Sequence, residues 1–452
     1  MSIAREIAQY AHSIQFADLD KETINAAKRV IVDVMGCAIG ASDERPVAIA
    51  REAVYAGSWG TATLLGTRQK TSPDIAAFVN GLAARYFDYN DGYENMEFAH
   101  PSDNILPLMA VAESSKRNGK DLILATVIAY EIQCRLCDAA SLWRRGWDHV
   151  SYGLVSVSAA ASRLMWLSTE QTEQAINIAL SSHITLRQVR AGELSMWKAA
   201  SFANAARNAV FSAMLAGKDM TGPSPIFEGE MGFWKEVSGK FKLNLRSFGN
   251  RRNRFRITQN ILKYFPAEIR SQSAISAALS ARKHFSSIDE ISSVEIGTTE
   301  SGYKILGKDP EKWDPKTKET ADHSLPYIVA VALMDGRIDN NSYLRKRFRE
   351  KKTLKFMKKI SVKEKANLTA MYPRCIPNEL TIRLRSGKSI REKVLYQKGH
   401  QKNPMSNQEI EEKFSKLTGK FLNKAQKQKI LQNLWNLEKA KSMGSVIPDY
   451  RI

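Results

Sequence analysis

The protein is a chain of 452 residues with 43% hydrophobic residues and a formal net charge of +20. A chain of this size and composition can bury a large core, and two or three globular domains are expected. Its four cysteines are too few for the disulfide framework of a secreted protein. The composition therefore predicts a soluble globular protein with reduced thiols.

The sequence also argues against a membrane protein. The apolar stretch 122–130 is ended by Glu131, well short of the roughly 18 to 20 residues that a membrane span requires. Residues 1–6 lack the apolar segment of a signal peptide. A cytoplasmic protein without a membrane partner is predicted.

The excess of basic residues allows three kinds of partner: nucleic acid, an anionic surface or an anionic substrate. Much of the excess lies in residues 251–256, 345–349 and 351–359. These runs are spaced like the solvated faces of helices and loops, and none accompanies a nucleic-acid-binding motif. Nucleic-acid binding is therefore kept only as a remote alternative.

Residues 1–265 are predicted to form a large all-helical domain. Apolar positions recur there every three or four residues, while Gly and Pro fall between the periodic runs. One helix begins after Asp20, a favourable N-cap, and precedes Gly36 and Gly40. Further helices are predicted over about 73–87, 104–117, 121–139, 152–165, 170–182 and 197–216.

The pattern changes after Pro266. Residues 293–297 have the composition of a strand, and two alternating segments flank the turn 386–388 like the arms of a hairpin. Helices 271–284 and 323–334 accompany them.

Residues 266–405 are therefore predicted to form a smaller α+β lid domain. Residues 406–452 again show helical spacing and are predicted to return to the first domain. The predicted fold is mostly α, with the α+β domain as an insertion. The cleft between the two domains is the expected ligand site.

The densest group of polar residues lies between two apolar helical segments. It contains Asp88 and Asp91, followed by His100 and Ser102 in the stretch His-Pro-Ser-Asp-Asn. Carboxylates, an amide and an imidazole gathered between two buried helices usually line a cavity. This segment is the first candidate for a functional site.

A second set of polar residues is spread along the chain among small or apolar neighbours. It comprises His149, Lys198, Lys263 and the pair Asp322-His323. A single interior histidine is more often a satisfied core residue, and Lys198 alone could equally form a capping salt bridge. Their joint appearance at predicted helix starts favours an anionic ligand, because N–H groups and the helix dipole attract anions there.

An iron–sulfur cluster is one interpretation of Cys134, Cys137 and Cys375, which provide a Cys-x-x-Cys pair and one distant thiol. The pair lies in a continuous predicted helix without a glycine loop to surround a cluster. Small buried thiols are the simpler interpretation. The sequence therefore predicts neither a metal site nor a cofactor.

These motifs give the chain a family resemblance. It resembles the MmgE/PrpD family of 2-methylcitrate dehydratase and cis-aconitate decarboxylase at 32–37, 100–104, 148–150, 265–268 and 399–400. The resemblance implies a helical domain closed by an α+β lid, usually a homodimer, acting without a metal or an iron–sulfur cluster. It also supports site membership for six residues: Asp88, His100, His149, Lys198, Lys263 and Tyr327.

The residues within these motifs resemble those of the dehydratase branch of the family. Its members carry His-Pro-Ser-Asp-Asn and Phe-Pro-Ala-Glu, as found here at 100–104 and 265–268. The decarboxylase-like members tend to carry His-Pro-Ser-Gly and Phe-Pro-Ala-His instead. One departure is Gly92, where relatives often have Thr; Tyr93 or Ser102 is then a candidate to supply the missing hydroxyl.

The predicted activity is that of a lyase that dehydrates 2-methylcitrate, or a citrate-like tricarboxylate, to 2-methyl-cis-aconitate. A decarboxylase or isomerase of the same fold, acting on a small polycarboxylate, is the alternative. Dehydration needs a base, an acid for the departing hydroxyl, and cations for the charge on the carboxylate.

Roles can be assigned to the candidate residues on this basis. His100 is predicted to exchange the carbon-bound proton, oriented by Asp88 or Asp91. The leaving oxygen is predicted to be protonated by His149 or Tyr327. The predicted substrate-binding residues are Lys198, Lys263, Arg190 and Ser102.

Overall fold

A computed structural model of the protein describes residues 1–55 and 60–447. Helices make up 57% of it and the sheet is small, which confirms the mostly-α class. Residues 448–452, at the end of the predicted C-terminal segment, lie outside the described residues.

The described residues up to 216, which are 1–55 and 60–216, form nine α-helices. They are α1 Ile3–Ser13, α2 Lys21–Gly40, α3 Arg45–Tyr55, α4 Pro73–Arg85, α5 Ile105–Ser114, α6 Gly119–Ala139, α7 Tyr152–Leu164, α8 Thr169–Ser182 and α9 Trp197–Ala216. Helix α9 packs against α4, α7 and α8, and α6 packs against α7. Their apolar faces meet in one hydrophobic core, as the helical periodicity predicts.

Helix α2 is longer than its sequence indicates. Asp20 caps it as predicted, by accepting a hydrogen bond from the Thr23 amide (2.7 Å), but the helix continues through Gly36 to Gly40. A Cβ atom at Gly36 would lie 3.1 Å from Phe414, and one at Gly40 would lie 2.9 Å from the carbonyl oxygen of Leu417. The glycines therefore permit close packing of another helix rather than ending this one.

Two short hairpins interrupt this helical part. They are β1 Ala62–Thr63 with β2 Lys70–Thr71, and β3 Tyr93–Glu94 with β4 Phe98–Ala99; both pairs are antiparallel. Glu94 lies opposite Phe98 in the second hairpin, and His100 follows it directly. The sequence did not predict these strands, because two-residue strands carry no measurable alternation.

The next part of the chain combines helices with a four-stranded sheet. Its elements are α10 Gln272–Ala281, β5 Ile291–Thr298, α11 Glu300–Leu306, α12 Lys318–Ala321, α13 Leu325–Asp335, α14 Arg345–Phe348, α15 Lys351–Met357, β6 Ile360–Glu364, α16 Ala366–Thr369, β7 Asn378–Leu384 and β8 Ser389–Val394. We call this part the α+β unit. The sheet order is β6-β5-β7-β8, with β5 and β6 parallel and the other pairs antiparallel.

Helices α10 and α13 pack on this sheet and build a second hydrophobic core. The strand at 293–297 and the hairpin around 386–388 occur where the sequence predicts them. Strand β6 was not predicted, because Ile360 and Val362 follow a run of lysines that obscures the alternation.

The chain then returns to the first core through α17 Asn407–Leu417 and α18 Lys424–Trp435. Both helices pack against α2, and Ile410, Phe414 and Leu434 belong to the first core. We call α1–α9 together with α17 and α18 the helical unit. Whether the α+β unit moves as a lid stays a prediction.

Lys413 of α17 stabilises the packing of this return segment through buried polar contacts. Its ammonium group lies 2.7 Å from Asp33 Oδ1 and donates to the main-chain carbonyls of Tyr89 (2.7 Å) and Lys263 (2.9 Å). Both charged side chains are almost completely buried. Lys413 therefore ties α17 to α2 and to the two segments that lead into the candidate site.

Replacing Lys413 by methionine is expected to destabilise the protein by about 3–5 kcal/mol, because Asp33 stays buried without its cation. The shift of the urea unfolding midpoint measures this effect. Adding Asp33→Asn should restore part of the stability, and Lys416→Met, on the exposed side of the same helix, is the matched control. An unchanged midpoint in Lys413→Met would contradict the anchoring role.

Within residues 1–55 and 60–447, no helix combines the length and the apolar character needed to cross a bilayer.

Candidate active site

A cavity of about 280 Å³ lies between the helical unit and the α+β unit. Charged and aromatic side chains from both units form its walls. The helical unit contributes Arg85, Glu94, Phe98, His100, His149, Arg187 and Arg190, and the α+β unit contributes Glu268, Arg270, Ser301, His323 and Tyr372. The cavity therefore exists only where the two units meet.

His100 lies at the end of β4, where its ring is fixed by two hydrogen bonds. Nδ1 donates to the main-chain carbonyl of Asp91 (2.5 Å), and Nε2 accepts from the Arg85 guanidinium (2.6 Å). Burial, with Arg85 and Lys263 close by, holds the pKa of His100 well below 6.5. The imidazole is therefore neutral, with its proton on Nδ1.

His149 begins the short 3₁₀ helix His149–Ser151 ahead of α7. Its ring lies edge-on to Phe98, with the centroids 5.7 Å apart, and its centroid lies 6.0 Å from that of His100. Both ring nitrogens are buried and neither makes a hydrogen bond among the described residues, although Nδ1 lies 3.4 Å from Asp148 Oδ1. Burial, with Arg190 and Arg187 nearby, holds the pKa of His149 well below 6.5.

Arg190 lies beside this histidine and is held by Asp148. Its Nε donates to Asp148 Oδ2 (2.9 Å), to which Arg187 also donates (3.1 Å). Burial acts against ionisation of Asp148, but the two arginines and His149 lower the pKa of this carboxyl below 3.8. Nη2 of Arg190 is buried and has no partner in the described part of the chain.

Asp88 forms the centre of a charge cluster behind the cavity wall. Its carboxylate accepts from Arg85 (2.5 Å), Lys263 (2.5 Å) and Lys198 (3.1 Å). Burial alone would raise its pKa, but these three cations hold the pKa well below 3.8. Asp88 has φ +50°, a left-handed conformation that Asp tolerates better than most residues.

Asp322 is a second buried carboxylate that extends this cluster. It accepts from Lys198 (2.9 Å), Lys318 (2.9 Å) and Nδ1 of His323 (2.6 Å). Burial and Lys198 lower the pKa of His323 to about 4. The two carboxylates are thus surrounded by four groups that are cationic at neutral pH, which leaves the inner end of the cavity positive and suited to an anion.

Asp88, Asp322 and His323 present ligand atoms within 4.8 Å of one another. A metal ion there would compete with the ammonium and guanidinium groups that already neutralise both carboxylates. The thiols of Cys134 and Cys137 lie in the first core, where burial raises the pKa of each well above 9. The absence of a metal site stays a prediction.

Family models match both parts of the chain. The MmgE/PrpD N-terminal domain matches residues 5–246, and the MmgE/PrpD C-terminal domain matches residues 265–437. The chain belongs to the MmgE/PrpD family. This confirms the resemblance found in the sequence motifs.

Members of the MmgE/PrpD family with similar sequences are named as lyases. A probable 2-methylcitrate dehydratase from Saccharomyces cerevisiae is 28% identical, over 88% of this chain and 81% of the yeast protein. A 2-methylcitrate dehydratase from Escherichia coli is 29% identical, over 74% of this chain and 73% of its own length. Human cis-aconitate decarboxylase is 24% identical, over 97% and 92% respectively. These similarities support an enzyme of the lyase class.

In this MmgE/PrpD protein, the predicted site residues occupy four different positions: the cavity wall, the charge cluster behind it, the surroundings of His100 and the second core. His100, His149 and Arg190 line the cavity. Behind the wall, Lys198 and Lys263 neutralise Asp88. The cations predicted to bind substrate carboxylates therefore act on a protein carboxylate in this structure.

Asp91 and Ser102 have structural contacts next to His100. The Asp91 carboxylate accepts from the Tyr130 hydroxyl (2.8 Å), the Asn260 amide (3.0 Å) and the Ser102 main-chain amide (3.0 Å). It is the main-chain carbonyl of Asp91, and not its carboxylate, that orients His100. The Ser102 hydroxyl accepts from Asn90 (3.0 Å).

Tyr327 lies away from the cavity, in the second core. Its hydroxyl donates to the main-chain carbonyl of Ser342, and burial raises its pKa above 10. This position gives no support to its predicted role as the acid, because the hydroxyl is already engaged inside the α+β unit. The sequence could not show on which side of α13 this residue lies.

The hydroxyl expected at Gly92 is not replaced by the predicted substitutes. The Tyr93 hydroxyl donates to Asp138 (2.6 Å), and Ser102 bonds Asn90. A Cβ atom at Gly92 would lie 2.9 Å from the Phe98 ring. Glycine at this position thus matches the placement of Phe98 between the two cavity histidines.

Several cavity residues were missed by sequence reasoning. They are Arg85, Glu94, Arg187, Arg270 and His323. Arg85 ends a predicted helix, where a basic residue is ordinary. His323 belongs to the Asp322-His323 pair that the sequence indicates, but it is not among the predicted catalytic or substrate-binding residues.

Proposed function

We propose that this protein is a hydro-lyase that removes water from 2-methylcitrate, or from a closely related citrate-type tricarboxylate, without a metal ion or an iron–sulfur cluster. The product from 2-methylcitrate is 2-methyl-cis-aconitate. The family and the names of the dehydratase relatives support the reaction class. The assignment to this substrate is our inference.

The observation that carries the proposal is the set of unpaired polar atoms in the cavity wall. Nε2 of His149 and Nη2 of Arg190 are buried without a partner among the described residues, whereas Nδ1 of His149 lies 3.4 Å from Asp148 Oδ1. A buried polar atom without a partner costs about 1–3 kcal/mol. A ligand that carries carboxylates and a hydroxyl supplies the missing acceptors.

The arginines of the helical unit support a polyanionic substrate, although four glutamates also line the cavity: Glu94, Glu97, Glu268 and Glu300. Arg187 and Arg190 outnumber their partner Asp148, and Arg85 lies between Asp88 and His100. Guanidinium groups bind carboxylates through paired hydrogen bonds. Such cations also stabilise the charge that gathers on a carboxylate when the neighbouring C–H bond is broken.

We assign removal of the carbon-bound proton to His149. A neutral imidazole with an unoccupied nitrogen can accept a proton, whereas Nε2 of His100 is already occupied by Arg85. The bound carboxylates of the substrate would raise the pKa of His149 and so strengthen it as a base. His100 then acts as the oriented neighbour that holds Arg85 towards the substrate.

Apolar side chains in the same cavity provide neighbours for the methyl group of 2-methylcitrate. Met96, Phe98, Trp143 and Ile305 line it. Burying one methyl group contributes about 0.8 kcal/mol, which corresponds to roughly a fourfold preference. We therefore expect 2-methylcitrate to be used modestly better than citrate.

The decisive experiment incubates the purified protein with 2-methylcitrate, citrate, cis-aconitate or malate and follows the products by NMR. We expect dehydration of 2-methylcitrate, slower dehydration of citrate and no reaction of malate, which lacks the third carboxylate. A chelator is expected to leave the rates unchanged.

Other outcomes would contradict parts of this proposal. Release of carbon dioxide from cis-aconitate, without dehydration, would favour the decarboxylase alternative. Loss of activity in the chelator would overturn the metal-free mechanism. The homodimer and the cytoplasmic location stay predictions.

A further inference from the structure

Glu94 occupies an unusual position in the cavity wall. It ends strand β3, opposite Phe98 in β4, and only 2% of its side chain is exposed. Its Oε2 is buried and has no partner among the described residues. Phe98 contacts the rings of both His100 and His149, so the hairpin brings Glu94 to the same cavity as the two histidines.

The other oxygen of Glu94 is firmly held from the α+β unit. Oε1 accepts from Arg270 Nη2 (2.6 Å) and from the Tyr372 hydroxyl. Arg270 is itself fixed by Glu268, whose Oε1 accepts from Nη1 (2.7 Å). One carboxyl oxygen is thus oriented by two donors while the other stays free.

Some of the groups around Glu94 raise the pKa of its carboxyl and others lower it. Burial, with Glu268 and Glu97 nearby, raises the pKa of Glu94 to about 7, although Arg270 and Tyr372 oppose the shift. A substantial fraction of this carboxyl therefore carries a proton near neutral pH. Glu97 is engaged elsewhere, because it accepts from the main-chain amides of Leu142 (2.6 Å) and Trp143 (2.9 Å).

We propose that Glu94 is the catalytic acid that protonates the departing hydroxyl, through its free oxygen Oε2. This inference rests on the proposed dehydration. As His149 takes the carbon-bound proton, the C–H electron pair forms the new double bond. The C–O bond breaks towards oxygen, which takes the Glu94 proton and leaves as water.

The step leaves the Glu94 carboxylate and the His149 imidazolium. Arg270 and Tyr372 already contact the carboxylate and so stabilise its new charge. The imidazolium then loses its proton to solvent and the carboxylate regains one, which restores the starting state. No redox partner or co-reactant is required.

The test compares the wild type with Glu94→Gln over pH 5.5–9, using the substrate that the wild type dehydrates. Glutamine keeps the shape and the contact with Arg270 but cannot give up a proton. We expect kcat to fall about 10²- to 10⁴-fold, as for loss of a general acid, with substrate affinity nearly unchanged. In the wild type, kcat/KM should decline above about pH 7, since an acid must be protonated to act; the variant should lose this decline.

Glu268→Gln is the matched control, because it removes the other carboxylate on Arg270 while leaving Glu94 in place. It should retain the alkaline decline in kcat/KM, displaced to lower pH because the charge of Glu268 helps to raise the pKa of Glu94. If Glu94→Gln keeps the wild-type pH profile and a near-normal kcat, Glu94 is not the acid. If the wild type dehydrates none of the tricarboxylates, the proposed function itself fails, and the two failures are thereby distinguished.

Discussion

Replacing His149 by glutamine is expected to lower kcat by about 10²- to 10⁴-fold, the usual effect of losing a general base, while the fold remains intact. Neither ring nitrogen makes a hydrogen bond in the described structure, and the nearest carboxylate oxygen, Asp148 Oδ1, lies 3.4 Å from Nδ1. The substitution therefore removes no internal hydrogen bond. Steady-state kinetics test the expected loss of kcat. The urea unfolding midpoint, measured on the same preparation, tests whether the fold remains intact.

His100 provides the informative comparison, because its ring is bonded at both nitrogens, to Asp91 and to Arg85. His100→Gln should therefore lose stability as well as activity. His284→Gln, on an exposed histidine of the α+β unit, should change neither. A His149→Gln enzyme with a near-normal kcat would exclude this residue as the base.

The acid limb of the pH profile gives a further check on His149. Because its pKa lies well below 6.5, the free enzyme should hold the imidazole neutral throughout pH 6.5–9. The decline of kcat/KM attributed to Glu94 then contains no contribution from His149, and its loss in Glu94→Gln separates it from the titration of Lys263, whose pKa is about 8. His149 and Glu94 therefore affect different pH ranges of the kcat/KM profile.

Much of the helical part could be predicted from the sequence, because local periodicity decides which residues form each helix. The predicted helix over 121–139 occurs as Gly119–Ala139, and that over 197–216 as Trp197–Ala216. The end of α2 was not predictable. Gly36 and Gly40 look like helix ends until Phe414 and Leu417, nearly four hundred residues later, are seen to pack against them.

The candidate site likewise contains some residues that the sequence could predict and others that it could not. His100, His149 and Arg190 were found because reactive or charged side chains stand out among small and apolar neighbours. Glu94 and Arg270 were not found, because their pairing depends on a two-residue hairpin and on the docking of the α+β unit. The sequence also could not predict that Lys198 and Lys263 contact Asp88, because Asp88 is distant from both in the sequence.

Replacing Asp88 by asparagine is expected to destabilise the protein by at least about 3–5 kcal/mol, because it leaves Arg85, Lys198 and Lys263 buried around a neutral group. All three now lie within 3.1 Å of its carboxylate. Asp335→Asn is the matched control, since its pair with Arg347 is partly exposed and such pairs contribute about 0–1 kcal/mol.

The destabilisation should depend on pH, and its sign follows from Lys263. Burial, opposed by Asp88, already lowers the pKa of Lys263 from 10.5 to about 8 in the folded protein. Without Asp88 the folded pKa falls further, so the unfolded chain binds more protons than the folded one between that value and 10.5, and stability rises with pH there. The deficit of Asp88→Asn relative to the wild type should therefore be largest near pH 6 and shrink towards pH 9. Urea unfolding at several pH values measures it, and a deficit that is constant or grows with pH would show that Asp88 does not serve as the counter-ion of these cations.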